Sequence, residues 1–105
     1  MECCPVSNFV LGYILDLRNH PARGLIHKGL AVSINPDDPG FMGYDGVTLD
    51  YLYVYLSWDL DLRDLKKLAL NSLTYAGISE QDKVHIATFF HRKWTRFLDF
   101  IITRF

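Results

Sequence analysis

No apolar run in this chain reaches the roughly 18 residues that a membrane span needs, and the longest uncharged stretches contain Gly, Ser or Asn. Positive charge is not in excess either. Eleven Lys and Arg face 12 Asp and Glu, a formal charge of −1, so no basic field points to nucleic acid. The only two cysteines, Cys3 and Cys4, are adjacent. Neighbours on a strand point to opposite faces, so a disulfide between them would be strained. No third Cys or His stands at zinc-knot spacing from them, and they read as buried strand residues. They leave the redox compartment open. The N-terminus also lacks a basic segment followed by an apolar core. Phe9–Leu15 is apolar but too short, so no signal peptide is expected in this chain.

What is present points to a packed domain. The 105 residues suffice for one small domain, and half are hydrophobic with 14% aromatic, which argues against disorder. Small domains bury a smaller share of their surface, so part of this apolar surface is expected to meet a partner. The most informative stretch is Asn35-Pro36-Asp37-Asp38-Pro39-Gly40, which follows the apolar run Leu30–Ile34. A short strand thus delivers two adjacent carboxylates to its C-terminal end, where parallel α/β folds build their sites. Crowded carboxylates repel, and a metal ion relieves the repulsion by taking one as ligand. Pro36 and Pro39 push Asn35 and Asp38 toward extended conformations. Asp and Pro-Gly are also ordinary turn residues, which is the competing reading.

The order of elements reads as strand, helix, strand, then several helices. Met1–Cys4 is expected as a strand ending at Pro5. Ser7 or Asn8 is expected to cap a helix reaching about Asp16. Asn19-His20-Pro21 starts a second helix, which Gly29 ends. Ala31–Asn35 is the second strand, and 41–47 a glycine-containing loop. Thr48 opens a helix with Leu49, Leu52, Tyr53 and Leu56 as its apolar residues. Asp61 caps another carrying Leu62, Leu65, Leu68, Ala69 and Leu73. Ser79 and Asp82 start the last one, with an apolar stripe of Ile86, Phe90, Trp94, Phe97, Ile101 and Phe105 that reads as core packing. Two parallel strands alone do not close a core, so the pattern reads as one βα-unit and a half from a larger sheet or barrel.

Several segments in order carry a family resemblance: Glu2-Cys3-Cys4-Pro5-Val6-Ser7-Asn8, Leu17-Arg18-Asn19-His20-Pro21, Gly29, Asp37-Asp38-Pro39-Gly40, Leu68–Tyr75, and Lys93-Trp94 with Phe97. Together they resemble the C-terminal part of the adenosine deaminase family, in particular its secreted adenosine deaminase-related growth factor branch. The resemblance implies an α/β fold, a TIM-type (β/α)8 barrel of which residues 1–105 supply the last two strands and the terminal helices. It implies a zinc cofactor, with Asp37 as a metal ligand and Asp38 bonding a purine ring nitrogen of the substrate. The implied reaction is hydrolytic deamination of adenosine or 2′-deoxyadenosine to the inosine product and ammonia. The residue types suit it. Zinc lowers the pKa of a bound water toward neutral pH, and a carboxyl that keeps its proton donates to a ring nitrogen where a carboxylate cannot.

The same resemblance defines what this chain does not carry. No His-x-His occurs, and the family's histidine ligands and catalytic glutamate lie upstream. His20 reads as helix-start structure, and His27, His85 and His91 as helix-surface residues. Asp37 alone cannot hold a catalytic zinc, so this chain alone is expected to be inactive, with no catalytic residue of its own. Pro36 stands where the family usually has a small polar residue, which removes a hydroxyl near the ligand. Rival expectations are an AMP deaminase, a non-catalytic interaction or growth-factor-like module, and a small standalone α/β domain. The expected location is extracellular by resemblance, with a homodimer in the full-length family.

Overall fold

The computed structural model describes every residue from Met1 to Phe105. It divides into two compact units, Met1–Ser72 and Leu73–Phe105.

The first unit is organised by two parallel strands, β1 (Glu2–Cys3) and β2 (Ser33–Ile34), with Glu2 opposite Ser33 and Cys3 opposite Ile34. Hydrogen bonds bracket the pair: Ser33 N–H to the Met1 carbonyl at 3.0 Å and Asn35 N–H to the Cys3 carbonyl at 2.8 Å. Val32, Ser33 and Ile34 are all buried, the pattern of a parallel strand covered on both faces. Both strands are shorter than expected, because each pairs along one edge only.

Between the strands the chain makes two helices. Pro5 opens α1 (Pro5–Val10), a position where a missing N–H and a fixed φ are favourable. The cap position is therefore Cys4 rather than Ser7 or Asn8, and Ser7 is a buried residue inside the first turn. The helix stops well short of Asp16. Gly12 turns to φ +79°, and the Tyr13 N–H folds back onto the Asn8 carbonyl at 2.9 Å. After a 3-10 turn at Leu17–Asn19 comes α2 (Pro21–His27), capped by His20, whose Nδ1 accepts from the Ala22 N–H at 3.0 Å. The expected structural role of His20 is what the fold shows.

Beyond the loop, α3 (Thr48–Ser57) turns a face to the core that differs from the expected one. Asp50, Val54 and the following Trp58 are fully buried, whereas Leu52 and Leu56 are 51% and 67% exposed. The indole of Trp58 decides this. Its Nε1–H donates to the Leu17 carbonyl at 2.8 Å, and its ring lies 5.3 Å from the His20 ring. The core comprises Cys3, Ala22, Val32, Ile34, Val54, Trp58, Leu60 and Leu68. In α4 (Leu62–Thr74), Asp61 and Asp64 each accept the other's backbone N–H at 2.9 Å, a reciprocal cap. Asn71 then ties this helix to β2 by donating to the Val32 carbonyl at 2.9 Å.

The second unit is dominated by α5 (Glu80–Arg104), started by Ser79, whose Oγ accepts from the Asp82 N–H at 3.1 Å. The stripe expected as core is not buried here. Phe90, Trp94 and Phe97 touch one another along the helix, at 6.0 and 5.3 Å between rings, and no residue of α5 is buried. No helix is long and apolar enough to cross a membrane.

Replacing Trp58 by Phe keeps most of the buried ring but removes the indole donor, leaving the Leu17 carbonyl with the His20 N–H alone. The expected loss, read by urea denaturation, is about 0.5–1.5 kcal/mol. A stability equal to wild type would remove the indole from the account of why α3 presents this face.

Candidate functional site

Because β1 and β2 are parallel, their C-terminal ends lie on the same side. The chain leaving β1 and the chain leaving β2 therefore meet there. The first contributes Cys4, Ser7 and Asn8, and the second contributes Asn35 to Gly40. Asn35 closes the strand by donating its side-chain amide back to the Ser33 carbonyl at 3.2 Å and to Ser33 Oγ at 3.1 Å. Asp37 then adopts φ +63°, in the left-handed region. That conformation costs a non-glycine residue about 1–2 kcal/mol, and Asp is one of the few side chains that visit it routinely. The next residues turn sharply, with the N–H groups of Met42 and Tyr44 both reaching the Pro39 carbonyl at 3.0 Å.

The turn sends the two carboxylates to different surroundings. Asp37 Oδ2 accepts from Ser7 Oγ at 2.9 Å, while its Oδ1 takes no protein hydrogen bond. Asp37 borders a cavity of about 330 Å³ together with Cys3, Cys4, Asn8 and His20. Asp38, exposed like Asp37, lies outside the walls of that cavity, and no side chain pairs with it. Ser7 supplies the hydroxyl that Pro36 cannot. Sequence reasoning placed Ser7 at a helix cap and so missed it as a partner of Asp37. Ser7 follows Cys3 by four positions and Asp37 follows Ile34 by three, so the pairing emerges only once the parallel register of the strands is known.

The cavity is also lined by groups held neutral. His20 Nδ1 is an acceptor for Ala22 N–H, so its Nε2 carries the proton toward Asn8 Oδ1 at 2.8 Å. Burial lowers its proton affinity further. Cys3 is pushed up to about 12, chiefly by burial and then by the neighbouring Cys4 and Asp50. Burial also raises Cys4, followed by the carboxylates of Asp37, Asp50 and Glu2. His27, His85 and His91 are exposed on α2 and α5.

These residues fit one corner of a metal site. Asp37 offers a carboxylate oxygen unclaimed by the protein and oriented through its partner oxygen. No cluster of three or more His, Cys, Asp or Glu side chains is arranged to hold a metal ion, and catalytic zinc needs three protein ligands.

Comparison with known proteins agrees with this geometry. The family model for adenosine deaminase matches residues 1–91. The chain belongs to the adenosine deaminase family. It is 38% identical to "Adenosine deaminase 2" of Dictyostelium discoideum over 106 residues, covering 100% of this chain and 20% of that protein. It is 36% identical to "Adenosine deaminase 2" of Homo sapiens over 107 residues, 99% of this chain and 21% of that one. The chain thus spans about a fifth of the length of the curated relatives it matches. Among solved structures it resembles the adenine deaminase from Arthrobacter aurescens, with TM-score 0.72 and 28% identity, over 79% of this chain and 25% of that one. The two strands and their helices are therefore part of a TIM-type (β/α)8 barrel, as expected. In that architecture the C-terminal ends of the strands are the catalytic face, and here that face holds Asp37, Asp38 and Ser7.

The neutral thiol of Cys3 gives a pH test. In the unfolded chain a thiol ionises near 9.0, and in the folded chain Cys3 holds its proton to about 12. The stability this contributes is present below pH 9.0 and is lost as pH rises toward 12. Alkylation by iodoacetamide at pH 8 is expected to be slow at Cys3 in the folded protein and fast after denaturation. Equal rates in both states would contradict the burial described here.

Proposed function

We propose that residues 1–105 form the carboxyl-terminal portion of the barrel domain of a zinc-dependent purine deaminase. In this reading Asp37 is a metal ligand and Asp38 bonds the purine ring. The upstream strands and histidine ligands belong to the rest of such an enzyme. The observation that carries the reading is Asp37 at the catalytic end of β2, with Oδ2 held by Ser7 and Oδ1 open. Family membership and the adenosine and adenine deaminase relatives support it.

Each residue has a distinct task. Ser7 donates to one oxygen of Asp37, which fixes the carboxylate plane and leaves the other oxygen for a cation. The left-handed turn at Asp37 directs the next residue elsewhere, so Asp38 is free to face a bound base. His20 and Asn8 bond each other beside Asp37, which keeps the imidazole out of the donor set. Zinc, when bound, supplies Lewis acidity that makes water a competent nucleophile near neutral pH. The substrate is adenosine or 2′-deoxyadenosine, and the bond broken joins the ring carbon to its exocyclic amine. Water supplies the new oxygen, and ammonia leaves. Secretion and a homodimer follow the growth factor branch that the sequence resembles.

One observation favours a second reading of the short chain, as a non-catalytic interaction module. The apolar stripe of α5 is uncovered, with Ile86 47% and Phe97 41% exposed. The deaminase reading accounts for that face as well, by packing against the rest of the barrel.

Two substitutions separate the proposed roles in the natural protein that carries this segment. Asp37→Ala is expected to abolish bound zinc, measured by plasma emission spectrometry, together with turnover. Asp38→Asn is expected to retain zinc while kcat/KM for adenosine falls at least about 100-fold. Zinc and turnover surviving Asp37→Ala would refute the ligand assignment. The purified 105-residue chain is expected to show no adenosine conversion, and metal-dependent conversion by it would overturn the shared-site reading.

A further inference from the structure

The loop that follows the two carboxylates is pinned at a point the deaminase reading leaves unused. Tyr44 stands eight residues after Pro36, and its hydroxyl lies 3.1 Å from the Pro36 carbonyl oxygen. That carbonyl belongs to the peptide group joining Pro36 to Asp37. Rotation of this peptide plane would change the backbone of Asp37 directly, and Asp37 already sits at φ +63°. The same hydroxyl lies 3.0 Å from Asp50 Oδ2. Asp50 is fully buried in the first turn of α3, an unusual place for a carboxyl unless it is bonded. Its Oδ1 faces the Val6 N–H at 3.4 Å, in the first turn of α1 and next to Ser7, the residue that bonds Asp37.

The geometry points to a latch: Tyr44 and Asp50 are positioning residues that fix the Pro36–Asp37 peptide group and so aim Asp37 and Asp38. This inference rests on the deaminase reading for its purpose, though not for its geometry. Three segments converge on one hydroxyl and one carboxyl: the start of α1, the carboxylate loop and the start of α3. Ser7 holds Asp37 from its side chain, and Tyr44, whose single hydroxyl proton is shared between the Pro36 carbonyl and Asp50 Oδ2, holds it from its backbone. Burial and the bond to Asp50 push the Tyr44 hydroxyl up to about 12, so it keeps its proton across the working range. Burial also raises the proton affinity of Asp50. An asparagine at position 50 would preserve both contacts, because its amide donates to Tyr44 Oη and its oxygen accepts from Val6 N–H.

The test uses Tyr44→Phe and Asp50→Asn in the natural protein, read by hydrogen–deuterium exchange of residues 36–47 and by adenosine kinetics. Tyr44→Phe removes one oxygen and leaves the ring, so exchange in 36–47 is expected to rise about tenfold while α4 keeps its protection. In an active enzyme kcat is expected to fall about tenfold with KM changed less than twofold. Asp50→Asn is expected to stay within twofold of wild type on every reading. Unchanged loop exchange in Tyr44→Phe would overturn the latch, as would an equal rise in α4 and the rest of residues 1–72. Faster loop exchange with unchanged kcat would overturn the positioning role. A wild-type protein without adenosine turnover would end the deaminase reading instead, and the exchange result would still decide the latch.

Discussion

The parallel pairing of β1 with β2 is the constraint on which the site depends. Two backbone bonds set its register, and the register puts the segments after both strands on one side. Had the strands been antiparallel, Ser7 and Asp37 would have left from opposite ends, and the 2.9 Å contact between them could not form. The crossover through α1 and α2 makes the parallel arrangement possible, since parallel strands need a long connection. Pro5 and Pro21 each start a helix there, and Gly12 and Gly29 each provide the left-handed residue that ends one.

From that register the rest of the site follows by short steps. Asp37 takes a left-handed backbone, Ser7 fixes one of its oxygens, and the loop closes through Pro39 toward Tyr44. The surroundings are otherwise kept uncharged. His20 is committed to Ala22 and Asn8, and the thiols of Cys3 and Cys4 hold their protons. A carboxylate with one free oxygen beside neutral groups is an attractive position for a cation. It is also incomplete as a catalytic metal site, since residues 1–105 arrange no group of three ligands.

Much of this was legible in the sequence, and the exceptions have physical causes. Local signals read well. The polar caps at Asp61 and Ser79 and the strand delivering Asp37 act within a few residues, so pattern alone finds them. The extent of α1 was misjudged because Pro5 at the first helical position outranks Ser7 as a cap, and Gly12 closes the turn early. The buried face of α3 was misjudged because Asp50 looks like a surface residue until its partners are known. Those partners, Val6 and Tyr44, lie 44 and 6 positions away. The Ser7–Asp37 bond spans 30 positions and depends on strand register, which no local pattern encodes. The stripe of α5 was read as core from its periodicity, and periodicity gives a face without saying what packs against it.

The most direct test of the account is a crystal structure of the natural protein with diffraction recorded at the zinc absorption edge. The expected result is a single anomalous peak about 2.0–2.2 Å from Asp37 Oδ1, with Ser7 still bonded to Oδ2. A zinc site elsewhere in the molecule, with Asp37 turned away from it, would contradict the account.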